Sequence, residues 1–224
     1  MVPILVILTI LAFLATDLVV QALARRREAA RRTAAPPAGA NHHLDWRVLC
    51  PAGYFLSPGH TWAHVEPDGT VVAGVDDFAR QMLGRPDAVE LPRVGSALRA
   101  GESMATLYKD ERLAHLAAPL DGVVTEVHAD LATHPQPVAR DPYGEGWLLK
   151  FHPSDLGLGL GRLRVAEEAR RFLDGEVERA RGFLQTYPAA RVAADGGEPV
   201  DGVIAVLGQA AWEEFRRGFL MERF

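Results

Sequence analysis

The chain has 224 residues, enough for one domain of ordinary size with extensions, and its 48% hydrophobic and 24% charged residues are the mix of a globular protein. A single cysteine, Cys50, excludes an internal disulfide and a cysteine-rich metal site. The net charge of −5 is unevenly spread. Residues 1–32 carry +3, five arginines against Asp17 and Glu28, which leaves −8 on residues 33–224 and argues against a nucleic-acid partner, because phosphate binding needs a basic surface.

Residues 2–24, VPILVILTILAFLATDLVVQALA, form a run of 23 residues with one charge. At about 1.5 Å per residue a helix over this run reaches about 34 Å, enough to cross a hydrocarbon core about 30 Å thick. RRREAARR follows at 25–32. Arginines resist translocation, so the pattern predicts a single-pass anchor in the inner (cytoplasmic) membrane, amino terminus outside and globular domain in the cytoplasm. A cleaved signal peptide is the alternative, because ALA at 22–24 has the form of a cleavage site. Charges that follow the apolar run instead of preceding it favour the anchor. Asp17 lies within the span, where a carboxylate costs roughly 2.5–3.5 kcal/mol. Either it faces another protein in a membrane complex, or it sits near the cytoplasmic interface and reaches water.

The small, proline-containing stretch TAAPPAGAN at 33–41 reads as part of a flexible linker over 33–45. Between 46 and 160, short β-like runs are broken by Gly and Pro: TVVAGV (70–75), AVEL (88–91), SMATLY (103–108), GVVTEVHA (122–129) and GWLLKFH (146–152). DDFARQMLG at 76–84 reads as a short helix with Asp76 capping its start and Gly84 its end. A helical extension is expected over 161–224. Residues 162–185 place Val165, Ala169, Phe172, Leu173, Val177, Ala180 and Leu184 on one face. Residues 203–224 form a second stripe, Ile204, Leu207, Ala211, Phe215 and Phe219. This stripe packs on the β domain or the preceding helix, or, with Trp212, Phe215 and Phe219 as anchors, docks on a partner. No solenoid repeat is present.

The stretch GESMATLYKDERLAHLAAPLDG at 101–122 reads as a β-hairpin, with Met104, Leu107, Leu113 and Leu116 flanking the charged tip Lys109-Asp110-Glu111-Arg112. Such a tip can hold one side chain out in solvent.

Four blocks now become specific: YFLSPGHTWAHVEPDGTVVAGVDDFARQMLG, VELPRVGSALRAGES, APLDGVVTEVHADLATHPQPV and DPYGEGWLLKFHPSD, in that order. Together, over 54–155, they resemble the H protein of the glycine cleavage system. The most specific block is DPYGEGWL at 141–148, in which Trp147 is expected to fill the core. The resemblance implies a mainly β fold, a lipoyl-domain-like barrel-sandwich hybrid, here with C-terminal α-helices and the N-terminal transmembrane helix. It also implies a carrier that catalyses nothing, in which a lysine at a hairpin tip bears lipoic acid in amide linkage and presents an aminomethyl group from glycine to partner enzymes.

The family hairpin reads like ESVKA. Counting from Gly101, Pro119 and Gly122 puts the lysine position at 111, where this chain has Glu111, and a carboxylate cannot be acylated in that way. The nearest lysine is Lys109, which the period of a strand puts on the side of Glu111. The family's acidic residue three before its lysine is missing in either register: Thr106 precedes Lys109 and Tyr108 precedes Glu111 at that distance.

Other candidates carry bland readings. His60 and His64 flank Trp62 on a strand, where their spacing is about 13 Å, too far for a shared metal. His42, His43 and His115 read as surface histidines, and Cys50 as inert. No nucleophile elbow, phosphate loop or dinucleotide fingerprint is present, so no enzyme is expected. The expectation is therefore a non-enzymatic, membrane-anchored docking or scaffold subunit of a membrane complex, redox in character, with no cofactor. Tyr108, Lys109, Glu111, Arg112 and Asp17 are its interaction residues. The alternative is a lipoyl carrier of glycine cleavage, or of a related lipoate pathway, modified at Lys109.

Overall fold

The computed structural model describes residues 46–191, 194–195 and 198–220. The membrane span, basic run and linker read at 1–45, Asp17 among them, lie outside the described residues, as does the end of the last stripe at 221–224. Among the described residues no helix is long and apolar enough to cross a membrane.

In chain order the elements are β1 (Tyr54–Leu56), β2 (Thr61–Val65), β3 (Val71–Val75), α1 (Asp77–Leu83), β4 (Ala88–Glu90), β5 (Ala97–Leu98), β6 (Ser103–Lys109), β7 (Arg112–Ala117) and β8 (Gly122–Val127). Then come α2 (Gln136–Arg140), β9 (Leu149–Pro153), α3 (Leu156–Leu160), β10 (Arg164–Val165), α4 (Ala166–Gln185), β11 (Ala194–Asp195), β12 (Glu198–Pro199), α5 (Val203–Leu207) and α6 (Gln209–Phe215). A single π turn, Arg216–Leu220, follows. The fold is mainly β with C-terminal helices. One antiparallel sheet runs β10-β1-β2-β3-β9-β8-β5, a second runs β4-β6-β7, and β11 pairs with β12 alone.

The local reasons are legible in the residues. β2 and β3 are joined by a turn in which the Asp68 carboxylate accepts the Thr70 N–H at 2.9 Å and Gly69 takes φ +85°. Every residue of β3 is buried, as befits a strand with neighbours on both sides. Within it Gly74 makes room for the indole of Trp62: a Cβ there would lie 2.5 Å from Trp62 Cζ2. The Asp76 carboxylate caps α1 by accepting the Ala79 N–H at 2.9 Å, and Gly84 closes it at φ +73°.

The DPYGEGWL block is a fastening rather than a core plug. Asp141 accepts the N–H groups of Gly144 and Glu145 at 3.1 and 3.0 Å. The Pro142 carbonyl accepts the Trp62 Nε1–H at 3.1 Å, and the Tyr143 carbonyl accepts the Tyr54 hydroxyl at 2.6 Å. Trp147, expected in the core, is only half-buried and stacks on His128 with ring centroids 4.5 Å apart. Trp62 and Trp212 fill the interior instead, each 1% exposed.

The first long helix begins at Ala166 rather than 162, because Arg164 and Val165 pair with Leu56 and Phe55 to extend the large sheet. Ala169, Leu173, Val177, Ala180 and Leu184 are buried along its apolar face. The second expected helix is broken at Gly208, whose φ of +94° separates α5 from α6. Its aromatics face inward: Trp212, Phe215 and Phe219 are all buried, and Phe215 stacks on Phe219 at 4.9 Å. These side chains belong to the chain's own core, which is the first of the two readings of this stripe and not the docking alternative.

Candidate functional site

The hairpin of β6 and β7 is in register from Thr106 opposite His115 to Lys109 opposite Arg112, and closes through a two-residue turn, Asp110-Glu111. Asp110 takes φ +52°, a left-handed conformation that aspartate tolerates better than most residues. Glu111 is exposed in this turn and Lys109 is the last residue of β6, directly beside it. The turn interrupts the strand alternation, so the same-side argument from sequence does not reach from Lys109 to Glu111.

The tip is fastened on two sides. From the segment before β4, Asp87 donates its own N–H to the Tyr108 carbonyl at 2.8 Å. Its carboxylate accepts the Asp110 N–H at 2.8 Å through Oδ2 and pairs with Lys109 Nζ at 3.2 Å through Oδ1. The Asp110 N–H, helped by the Lys109 ammonium and opposed by burial, holds the Asp87 carboxyl below its ordinary range. Three residues on, the Glu90 carboxylate accepts the Tyr108 hydroxyl at 2.6 Å, and that bond raises the phenol's pKa.

On the other side, Arg112 turns onto the C-terminal helices. Its Nη1 donates to the Ala205 carbonyl at 2.8 Å, and its guanidinium lies 5.8 Å from the centroid of the Trp212 ring. Trp212 Nε1–H returns a bond to the Leu113 carbonyl at 2.9 Å. Of the residues expected on a docking surface, Glu111 is exposed, Tyr108, Lys109 and Arg112 are engaged within the chain, and Asp17 lies outside the described residues. His115 is half-buried, with Nδ1 3.1 Å from Thr106 Oγ1.

A second polar cluster, unanticipated from sequence, is buried beneath the first sheet. His60, 0% exposed and at φ +60°, sits between the rings of Phe78 and Phe172 at 4.3 and 5.3 Å. Nδ1 is 2.8 Å from Asp76 Oδ2, and Nε2 is 3.5 Å from Glu176 Oε2, an ion pair rather than a well-formed hydrogen bond. Burial pulls the His60 pKa down, but the Asp76 and Glu176 carboxylates more than offset it, and the ring is pushed up to about 9. Burial likewise raises the Glu176 carboxyl, while His60 and Arg179 outweigh that and hold it below its ordinary range. Arg179 continues the network to the Gly218 carbonyl at 2.8 Å. His64, expected to be unconnected with His60, is apart from it: it stacks on Tyr54 at 4.9 Å and meets the Gly53 carbonyl at 3.0 Å. Among the described residues no three His, Cys, Asp or Glu side chains are grouped to hold a metal. Burial pushes the Cys50 thiol up, which makes it a poor nucleophile.

Comparison with known proteins bears on this hairpin. The sequence model of the family described as "Glycine cleavage H-protein" matches residues 54–176. The chain is 37% identical over 126 residues to the glycine cleavage system H protein of Thermus thermophilus, an alignment covering 56% of this chain and 97% of that one. It is 36% identical over 121 residues to the probable glycine cleavage system H protein of Pyrococcus abyssi, covering 54% of this chain and 90% of that one. A crystal structure of a glycine cleavage system H protein from Mycobacterium marinum superposes with a TM-score of 0.48 at 29% identity, covering 57% of this chain and 98% of that one. The H-protein family carries lipoate, so the expectation of no cofactor is overturned by the family match.

Proposed function

Because the chain belongs to the glycine cleavage H-protein family, we propose that it is a lipoate carrier, with Lys109 the amine that takes the lipoyl group in amide linkage. The H protein is a carrier rather than a catalyst, and its partners are the other proteins of glycine cleavage. The scaffold reading, which rested on the anchor with Asp17, on Glu111 at the lysine position and on the C-terminal extension, gives way to this one.

One observation carries the assignment. The sequence has only two lysines, and one of them stands beside the turn of the carrier hairpin. The other, Lys150 on β9, pairs with Glu126 at 2.8 Å and lies 5.0 Å from the Trp147 ring centroid, in the large sheet. Lys109 fits the group: its side chain is 28% exposed, its ion pair among the described residues is to the partly exposed Asp87, and Glu111 is exposed in the adjoining turn. Bound lipoate supplies a dithiolane that accepts and hands on an aminomethyl group. The chain supplies a fixed place from which that arm swings: β6 and β7 are bonded along their length, β4 braces one flank and α6 the other.

We also propose that the domain is held at the cytoplasmic face of a membrane, on the strength of the apolar run at 2–24 and the arginines at 25–32. Intact-mass measurement of the chain, expressed in cells with a working lipoylation system, tests the carrier assignment. A mass increase of one lipoyl group, lost in Lys109→Arg, is expected. An unmodified chain would refute it and leave the hairpin a docking element only.

A further inference from the structure

Resting on the carrier reading above for its consequence, we infer that Asp87 is the positioning residue of the attachment site: one carboxylate that both sets the turn and holds the amine that is acylated. Asp87 precedes Lys109 by 22 residues and lies in the segment just before β4. It is itself fixed, because its N–H is bonded to the Tyr108 carbonyl and Ala88 is in register with Tyr108. Its two oxygens then straddle the Lys109–Asp110 peptide unit. Oδ2 accepts the N–H of Asp110 at 2.8 Å, the residue whose left-handed φ of +52° makes the turn. Oδ1 holds Lys109 Nζ at 3.2 Å.

A lysine side chain has four rotatable bonds and normally spreads its ammonium over many positions. Here an attaching enzyme meets an amine already placed, with a carboxylate against it and Glu111 beside it. Asp87 takes no part in bond making. Once Nζ is an amide its charge is gone, and Asp87 keeps only the Asp110 N–H. The turn therefore survives modification while the arm is released from the protein surface. The two oxygens have separable duties: one is electrostatic and directed at the side chain, the other structural and directed at the backbone.

Asp87→Asn separates them, since an amide oxygen still accepts the Asp110 N–H but no longer attracts the ammonium, whereas Asp87→Ala removes both. The first test needs no lipoate. The full chain in detergent is treated with limiting acetic anhydride, and acetylation at Lys109 is measured against Lys150 by peptide mass spectrometry. Asp87→Asn should raise the Lys109:Lys150 ratio about two- to fivefold, the range an exposed ion pair supports. Amide exchange at Asp110 should be unchanged in Asp87→Asn and faster in Asp87→Ala. An unchanged labelling ratio overturns the inference.

The second test follows the initial rate of lipoylation by a purified lipoate–protein ligase. Asp87→Asn should lose about two- to fivefold, through KM rather than kcat. Lipoylation of Asp87→Asn at the wild-type rate also overturns the inference, and leaves the carrier assignment standing. Failure of the wild-type chain to be lipoylated, with the labelling ratio still responding to Asp87→Asn, refutes the carrier assignment and leaves Asp87 as the residue that holds the amine.

Discussion

Raising the pH should remove a buried cation from beneath the first sheet and destabilise the domain. His60 titrates at about 9 in the folded chain against an ordinary 6.5. Because the folded value is the higher one, the folded state binds the proton more tightly. The stability this contributes is fully present below about pH 6.5 and is lost as pH rises through about 9. The gap between the two values corresponds to roughly 3 kcal/mol, and the structure explains its direction: Asp76 at 2.8 Å and Glu176 at 3.5 Å face the ring from opposite nitrogens. His60→Asn is the perturbation of choice, since asparagine tolerates the positive φ but carries no charge. At about pH 6 it leaves the buried Asp76 carboxylate without its cation and Glu176 with Arg179 alone, and should cost about 3–5 kcal/mol. Chemical denaturation of the full chain in detergent, followed by tryptophan fluorescence between about pH 6 and 10, reads both effects. Wild type should lose stability across the upper half of that range and His60→Asn should not. Parallel pH profiles for the two chains would refute the reasoning.

Further substitutions test the packing that supports the hairpin. Trp212→Ala removes a side chain that is 1% exposed and donates to the Leu113 carbonyl, and should cost about 3–5 kcal/mol in the same denaturation assay; a loss below about 1 kcal/mol would mean that α6 does not brace β7. Gly74→Ala puts a Cβ within 2.5 Å of the Trp62 indole and should cost about 1–3 kcal/mol, with a shift in tryptophan emission; an unchanged midpoint and spectrum would contradict the close approach drawn between β2 and β3.

The sequence carried much of the fold because its signals were local. Asp76 and Gly84 mark α1 at both ends, the Asp68-Gly69 turn separates β2 from β3, and the apolar face of α4 falls at helical spacing. What it did not carry depends on pairing between distant segments. Trp147 and Trp62 look alike as sequence, and only the strand order decides which is enclosed. The break at Gly208 was hidden because the apolar stripe continues across it in helical phase. His60 reads as a strand residue without a partner until the turn before β2 sets it against Asp76 and Glu176 of α4. At the hairpin, no acid stands three residues before Lys109 in the chain, but one lies opposite it in space. The usable signal was the β4–β6 pairing: with Ala88 against Tyr108, an antiparallel register puts Asp87 across from Lys109, an opposite-charge cross-strand pair.

The membrane proposal has a direct check in fractionation. The full chain should remain with membranes after alkaline carbonate extraction, and a chain that is released would remove the anchor from the account.

The central claim is that the amine of Lys109 bears the lipoyl group, and trypsin reads it directly. Cleavage after Arg99 and Arg112 yields residues 100–112 as one peptide when Lys109 is acylated, because trypsin does not cut at an amide-capped lysine. The account predicts that peptide intact, carrying one lipoyl group on Lys109, from protein made in lipoylation-competent cells. Quantitative recovery of the unmodified peptide 100–109, cut at Lys109, would contradict it.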